Sequence, residues 1–258
     1  MNRPLWYEMM IKMLILLADL LLPRVCVVCG RKLNFEERNL CLYCQAELPQ
    51  TFFWERRHNS MADKFNVLIE RGIDGYLADG HLERYAYAVA LFFYDGKGDY
   101  RRITQQLKYH ADLNLGRDFG RLLGQRIGEA CHFEDVDAVI PVPLHWTRRW
   151  KRGYNQAEVI AREIADVLKA DLRTDILIRC RRTRTQTKVD PKEKAENVRG
   201  AFAVSQLNVS KFGYRHILLV DDVFTSGSTL HNCFLALRSV LPPSVRISVA
   251  TLAFVGGA

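Results

Sequence analysis

The chain has 258 residues, a formal net charge of +8 and a sequence pI near 9.2, and 48% of the residues are hydrophobic. This size suits one α/β domain of about 150 to 200 residues with a smaller module. The apolar content is ordinary for a soluble protein and allows a sizeable core, and the basic charge favours an anionic partner such as nucleic acid or a polyphosphate ligand. The seven cysteines are an odd number, which argues against a secreted disulfide framework.

The first element in chain order is an apolar stretch, "MLILLADLLLP", at residues 13–23. It is shorter than the roughly 20 residues that span a bilayer, Asp19 interrupts it, and no small-residue cleavage site follows. The stretch predicts an amphipathic helix that ends at Pro23 and docks on the protein. We therefore expect no stable membrane insertion and a cytoplasmic location, with loose membrane association as the alternative.

A cysteine quartet follows in "CVVCGRKLNFEERNLCLYC", where two C-x2-C pairs are separated by eleven residues. This spacing brings four thiolates within reach of one tetrahedral Zn²⁺ ion, and Gly30 suits the tight turn after the first pair. Four protein ligands leave no open coordination position, so the predicted zinc is structural. Redox-active or buried free thiols are the alternative. The predicted ligands are Cys26, Cys29, Cys41 and Cys44.

The remaining chain alternates strands with helices, which predicts an α/β fold with a doubly wound, mostly parallel sheet. Such sheets bind ligands beyond the carboxyl ends of their strands. We expect an N-terminal helix and zinc ribbon at 1–49, a linker or hood segment at 50–83, and the α/β domain at 84–258. The predicted strands are 84–94, 136–143, 175–178, 216–220 and 245–255, and the predicted helices are 115–127 (with Asn114 as a cap), 157–168 and 230–241.

The most informative stretch is "HILLVDDVFTSGSTLHN" at residues 216–232, where an apolar strand ends in Asp221 and Asp222. Successive strand side chains point in opposite directions, so the two carboxylates need not crowd each other. The small residues that follow let backbone N–H groups converge on an anion at the start of a helix. Carboxylates repel phosphate, so they fit a ligand that also offers sugar hydroxyls or a bound Mg²⁺ ion. A sugar phosphate satisfies both halves; an ordinary strand–turn–helix is the alternative.

"ILLVDDVFTSGST" closely resembles the phosphoribosyl pyrophosphate (PRPP) loop of type I phosphoribosyltransferases. The resemblance implies that Asp221 and Asp222 bind ribose hydroxyls and that a turn wraps the 5′-phosphate. It also implies Mg²⁺ bound together with PRPP. The residues of the implied phosphate turn are Thr225, Ser226, Gly227, Ser228 and Thr229.

Two basic segments extend this resemblance to most of the chain. "PVPL", "RRWKRGYNQA", "RTRTQT" and "ENVRGAF", after the CxxC pairs and "LKY" at 107–109, are similar to the ComF family of phosphoribosyltransferase-like competence proteins. Many members carry further CxxC pairs within 50–83, and this chain has none there. The resemblance implies a pyrophosphate loop at Pro141, Val142, Pro143 and Leu144 with Arg152 nearby, and a flexible loop that carries Arg182, Thr183, Arg184 and Gln186.

The family resemblance implies binding of PRPP or a related sugar phosphate, and a role in natural competence, DNA uptake and transformation, or use of imported DNA. The alternative is an active phosphoribosyltransferase that acts on a nucleobase or another acceptor; the sequence identifies neither the acceptor nor a general base. Trp146, Trp150 and Tyr154 interleave with basic residues, which is typical of single-stranded DNA binding. Core packing of the tryptophans and a solvated basic face are the alternatives. DNA-uptake or recombination proteins are further expected partners.

Overall fold

The computed structural model describes residues 23–73, 83–94, 98–109, 112–144, 150, 152–180, 201–205 and 213–256. The chain divides into two compact units, Met1–Leu48 and Pro49–Ala258. Most of the helix predicted at 13–23 and nearly all of the basic loop predicted at 179–200 lie outside the described residues. Within the described part of the chain, no helix has the length and apolar character needed to cross a membrane.

The strands and helices are numbered here in chain order. The strands are β1 (Ala88–Phe93), β2 (Ala138–Pro141), β3 (Asp171–Leu172), β4 (Leu177–Arg179), β5 (Phe202–Val204), β6 (His216–Phe224) and β7 (Arg246–Phe254). The α-helices are α1 (Leu42–Ala46), α2 (Ser60–Ile73), α3 (Arg101–Tyr109), α4 (Leu113–Gly128), α5 (Gln156–Leu168) and α6 (Ser228–Arg238). Short 3₁₀ turns lie at Phe53–Glu55 and Cys131–Phe133.

The core of the larger unit is a parallel sheet with the strand order β1-β7-β6-β2-β3. Its central strands are apolar and buried along most of their length, as expected for a sheet covered on both faces. The predicted α/β fold with a mostly parallel, doubly wound sheet is therefore confirmed.

Two helix pairs cover the sheet, α4 with α5 and α2 with α6. The first pair packs closely because Gly116, Gly120 and Gly124 form an i, i+4 row along α4. A Cβ atom at Gly120 would lie 3.0 Å from the Ile160 carbonyl oxygen, so a larger residue there would push the helices apart.

The chain reverses its direction across the sheet between β2 and β6. From β2 the chain crosses through α5 to β3 on one side, and from β6 it crosses through α6 to β7 on the other. Right-handed crossovers in opposite directions place their helices on opposite faces. A crevice therefore opens at the carboxyl ends of β2 and β6, where open α/β sheets bind ligands.

Several local predictions need correction. Asp112, not Asn114, caps α4, because the Asp112 side chain accepts the Leu115 N–H. The strand predicted at 175–178 forms β4, which pairs with β5 in a separate antiparallel sheet. Helices α2 and α3 were not predicted. Helix α3 buries only Ile103, Thr104 and Leu107, too few residues to establish a helical period in a polar sequence.

Candidate functional site

The two aspartates lie where β6 loses one of its neighbours. Strand β6 pairs with β2 only as far as Val220, while its pairing with β7 continues to Phe224. Asp221 and Asp222 come directly after the last residue paired to β2, and both are partly buried. Strand β6 is thus longer than the predicted 216–220, and it carries the carboxylates into the crevice.

Burial and the charge of Asp222 perturb the titration of Asp221. Burial raises the pKa of Asp221 to about 7, and the Asp222 charge adds to this shift, while the charges of Lys108 and Arg179 oppose it. The Asp221 Oδ1 atom accepts the Asp222 backbone N–H at 2.9 Å. Asp222 therefore acts on Asp221 through its charge and its backbone N–H, although successive strand side chains point in opposite directions. Such perturbation is typical of functional sites.

The residue that faces Asp222 is Lys108, at the end of α3. Its Nζ atom lies 3.1 Å from Asp222 Oδ2. Burial lowers the pKa of Lys108, but the charge and hydrogen bond of Asp222 together with the charge of Asp221 outweigh it, and the net shift of the pKa is upward. This ion pair brings α3 to the acidic pair.

The turn after β6 has the geometry of an anion-binding loop. Gly227 has a φ of +76° and is the N-cap of α6. The Oγ atoms of Ser226 and Ser228 lie 2.9 Å apart, so the two hydroxyls converge. Thr225 and Ser226 are exposed at the turn. The N-terminus of α6 and these hydroxyls suit a phosphate group.

The turn after β2 runs beside the acidic strand. The Val142 N–H donates to the Val220 carbonyl at 2.8 Å, one residue before Asp221. The Val142 carbonyl accepts from Asn155 Nδ2 at 3.0 Å, and the Asn155 Oδ1 atom caps α5 by accepting the Ala157 N–H. The predicted pyrophosphate turn and the predicted ribose-binding residues thus meet at the same end of the sheet, with Pro143 and Leu144 partly exposed.

The segment that begins α5 also holds the end of α3. The Tyr154 hydroxyl and Gln156 Nε2 both donate to the Leu107 carbonyl, the latter at 3.3 Å. Arg152 Nη1 donates to Gln156 Oε1 at 3.2 Å, and its guanidinium lies 5.8 Å from the centre of the Tyr109 ring. Arg152 is therefore close to the site, next to Lys108.

Strand β4 supplies another cation near the acidic pair. Arg179 is its last residue, and its charge lowers the pKa of Asp221. The predicted flexible-loop residues Arg182, Thr183, Arg184 and Gln186 follow it and lie outside the described residues. Their placement in the site stays a prediction.

The donors of the acidic pair fit a hard divalent cation. Mg²⁺ binds to carboxylate oxygens and usually shares its remaining positions with waters and substrate phosphates. Asp221 and Asp222 offer such oxygens beside the turn at Thr225–Thr229, called here the phosphate-type turn, and both residues are partly accessible to solvent. They would hold the cation or the ribose hydroxyls, and a Mg²⁺ bound there would neutralise diphosphate charge.

The smaller unit brings the four predicted cysteine ligands together. The Sγ atoms of Cys26, Cys29, Cys41 and Cys44 all lie within 4.8 Å of one another. Cys26 opens a tight turn in which the Gly30 N–H donates to the Cys26 carbonyl, and Gly30 has a φ of +76°. Burial raises the pKa of Cys26, but backbone N–H groups outweigh it and lower that pKa to about 7. This cluster can bind a metal ion such as zinc.

Glu37 organises the chain between the two cysteine pairs. Its side chain is 3% exposed, and its carboxylate accepts the N–H groups of Asn34 and Leu42 at 2.8 and 2.7 Å and pairs with Arg31 at 3.3 Å. These bonds lower the pKa of Glu37. Sequence reasoning missed this residue, because nothing local distinguishes it from the neighbouring Glu36.

Sequence reasoning also missed Lys108, Asn155, Gln156 and Arg179 as parts of the candidate site. Lys108 and Asn155 belong to "LKY" and "RRWKRGYNQA", which indicate only a family resemblance. Their contacts with Asp222 and Val142 span 114 and 13 residues along the chain, respectively. Only the fold reveals such contacts.

Comparisons with known proteins agree with this geometry. Residues 152–255 match the phosphoribosyl transferase domain, which covers α5, the acidic pair and the phosphate-type turn. The fold is thus phosphoribosyltransferase-like.

Two curated relatives narrow the assignment. The chain is 33% identical over 141 residues to competence protein F of Haemophilus influenzae, covering 54% of this chain and 61% of that protein. It is 30% identical over 131 residues to DNA utilization protein YhgH of Escherichia coli O157:H7, covering 50% of this chain and 56% of that protein. The matches thus span 56 to 61% of these relatives' lengths. The chain is therefore similar to competence protein F and DNA utilization protein YhgH over about half of its length.

Proposed function

We propose that this protein binds PRPP or a related sugar phosphate, together with Mg²⁺, in the crevice between β2 and β6. Asp221 and Asp222 hold the ribose hydroxyls, and the Thr225–Thr229 turn holds the 5′-phosphate. The Pro141–Leu144 turn and Arg152 receive the diphosphate. The observation that carries the proposal is the Val142–Val220 hydrogen bond, which sets the diphosphate turn directly beside the acidic pair.

The proposed biological role is in natural competence, in the uptake or use of imported DNA, inside the cytoplasm. It rests on the names of the relatives, competence protein F and DNA utilization protein. The test is a transformation assay in a naturally competent strain that lacks its own family member. The wild-type gene should restore transformation, and the Asp221→Asn, Asp222→Asn double variant should not. If the wild-type and variant genes restored transformation equally, the role in competence would not depend on the proposed ligand site.

A transferase reaction is the second candidate, because the site joins a diphosphate turn to charge-stabilising cations. An acceptor would displace pyrophosphate from the ribose, and Arg152 or Lys108 would stabilise the charge on the leaving group. Pyrophosphate release from Mg-PRPP should be measured across bases, nucleosides and amines. Release that disappears in the aspartate double variant would support turnover, and no release with any acceptor would refute it.

Single-stranded DNA is the proposed macromolecular partner, and Trp150 supports it. The Trp150 side chain is 89% exposed, so it is not packed in a core. An exposed indole in a basic segment suits base stacking. Tyr154 is less suitable, because its hydroxyl is bound to the Leu107 carbonyl. Trp150→Ala should weaken binding of an oligonucleotide at low salt, and an unchanged affinity would remove Trp150 from the interface.

A structural zinc ion in the cysteine quartet completes the proposal. The four closely spaced Sγ atoms support tetrahedral ligation with no open position. Purified protein should contain about one zinc ion per chain, as expected for a closed site. Cys26→Ser should abolish it, whereas Cys131→Ser, an exposed cysteine outside the quartet, should not. Equal metal content in both variants would contradict the assignment.

A further inference from the structure

The Lys108–Asp222 ion pair occupies the place where the proposed ligand would bind. It joins the last turn of α3 to the carboxyl end of β6 at 3.1 Å, and the side chains are only 30% and 13% exposed. The pair is therefore partly withdrawn from water. Removing either partner would leave the other charge poorly solvated, which is costly.

The backbone beside Lys108 is fixed from the opposite side of the crevice. The Leu107 carbonyl accepts from Tyr154 and from Gln156, whose side chain is 2% exposed. A carbonyl in the last helical turn has no partner within its helix, so these two donors satisfy it. The backbone of Lys108 therefore lies next to the segment that begins α5, after the Pro141–Leu144 turn. Its ammonium group extends to Asp222, which we propose binds the ribose.

We propose that Lys108 is a ligand-binding residue that exchanges partners: it neutralises Asp222 in the free protein and moves to the diphosphate when the complete ligand binds. This inference rests on the proposed sugar-phosphate function. The ligand offers hydroxyls and a divalent cation to Asp222, and phosphate oxygens to Lys108. After the exchange every charge again has a partner, so no charge is left uncompensated.

The exchange makes the site selective for the complete ligand. A divalent cation alone would take Asp222 and leave the ammonium group of Lys108 beside another positive charge. The site should therefore bind a free cation weakly. A sugar monophosphate has no diphosphate for Lys108 to contact, so Lys108 should not add to its affinity. Arg152 adds a second positive charge near Lys108, because it is held there by Gln156 at 3.2 Å and lies 5.8 Å from the centre of the Tyr109 ring.

The test compares Lys108→Met with wild type in two titrations by calorimetry. Mn²⁺ alone should bind the variant about tenfold more tightly than wild type, because the competing internal cation is gone; tenfold corresponds to about 1.4 kcal/mol. PRPP with Mg²⁺ should bind the variant about tenfold more weakly, because its diphosphate loses a cation. Ribose 5-phosphate should bind both proteins with similar affinity.

Two further variants control for folding and for general charge effects. Lys108→Arg keeps the positive charge and should retain the weak Mn²⁺ binding of wild type. Arg121→Met removes the cation of the Arg121–Glu163 pair, at 2.8 Å on α4 and α5, and should change neither titration. Opposite shifts confined to Lys108→Met support the exchange. Unchanged affinities, or shifts in the same direction, overturn it. Failure of wild type to bind Mg-PRPP would instead overturn the proposed function.

Discussion

Gly227 is the residue at which the phosphate-type turn depends most on backbone geometry. Its φ of +76° is unfavourable for other residues, and a Cβ atom there would lie 2.6 Å from Phe224 Cζ and 2.8 Å from Leu68 Cδ1. Phe224 cannot easily yield, because it is 1% exposed and its ring packs against Phe65 and Phe254. Gly227→Ala should therefore incur both backbone strain and overpacking.

The expected magnitude follows from these two terms. A left-handed φ costs a non-glycine residue about 1–2 kcal/mol, and overpacking of a core adds about 1–3 kcal/mol. We expect Gly227→Ala to lower the free energy of unfolding by about 2–5 kcal/mol. In a domain of this size each kcal/mol shifts Tm by roughly 2–4 °C, so the loss is easily measured by thermal unfolding.

Gly153 provides a matched control. It has a φ of +78°, but no atom lies within 4 Å of the position that its Cβ would occupy. Gly153→Ala should therefore lower the free energy of unfolding by the backbone strain alone, about 1–2 kcal/mol. Equal losses of stability in the two variants would refute the packing argument for the turn.

Two further predictions concern buried charges outside the site. Burial lowers the pKa of His216, although Asp135 opposes the shift, so the unfolded chain takes up a proton that the native state resists. The contribution of His216 to the free energy of unfolding should be fully present above about pH 6.5, the pKa of a histidine in the unfolded chain. It should decrease as the pH falls below that value, by at most about 1.4 kcal/mol per pH unit. The free energy of unfolding, measured with urea at several pH values, should depend less steeply on pH in His216→Gln than in wild type. The same dependence on pH in both proteins would contradict the prediction. Arg238 pairs with Glu83 at 2.6 Å, with side chains 3% and 9% exposed, so Glu83→Ala should cost about 3–5 kcal/mol. The exposed pair of Arg126 and Glu129 is the control, and Glu129→Ala should cost no more than about 1 kcal/mol; a similar loss in both variants would count against this reasoning.

Local sequence patterns predicted the parts of the site that are contiguous along the chain. The apolar run before Asp221, the small residues around Gly227 and the cysteine spacing each reflect a physical requirement that acts within a few residues. The alternation of strands and helices predicted the sheet for the same reason, because each element carries its own hydrophobic period.

The remaining features depend on tertiary contacts that no local pattern encodes. Lys108 lies in a polar helix with few buried residues, and its contact with Asp222 forms only when α3 meets β6. Arg179 follows a strand that leaves the main sheet to pair with β5. Asp112 displaces Asn114 as the cap of α4, a difference of two residues that competing polar side chains make hard to predict.

The most direct test of the central claim is calorimetric titration of the protein with PRPP in the presence of Mg²⁺. Wild type should bind one equivalent saturably, and the Asp221→Asn, Asp222→Asn double variant, which should still unfold cooperatively, should bind at least about tenfold more weakly. Absence of binding to wild type, or equal binding by the double variant, would contradict the assignment of the crevice between β2 and β6 as a sugar-phosphate site.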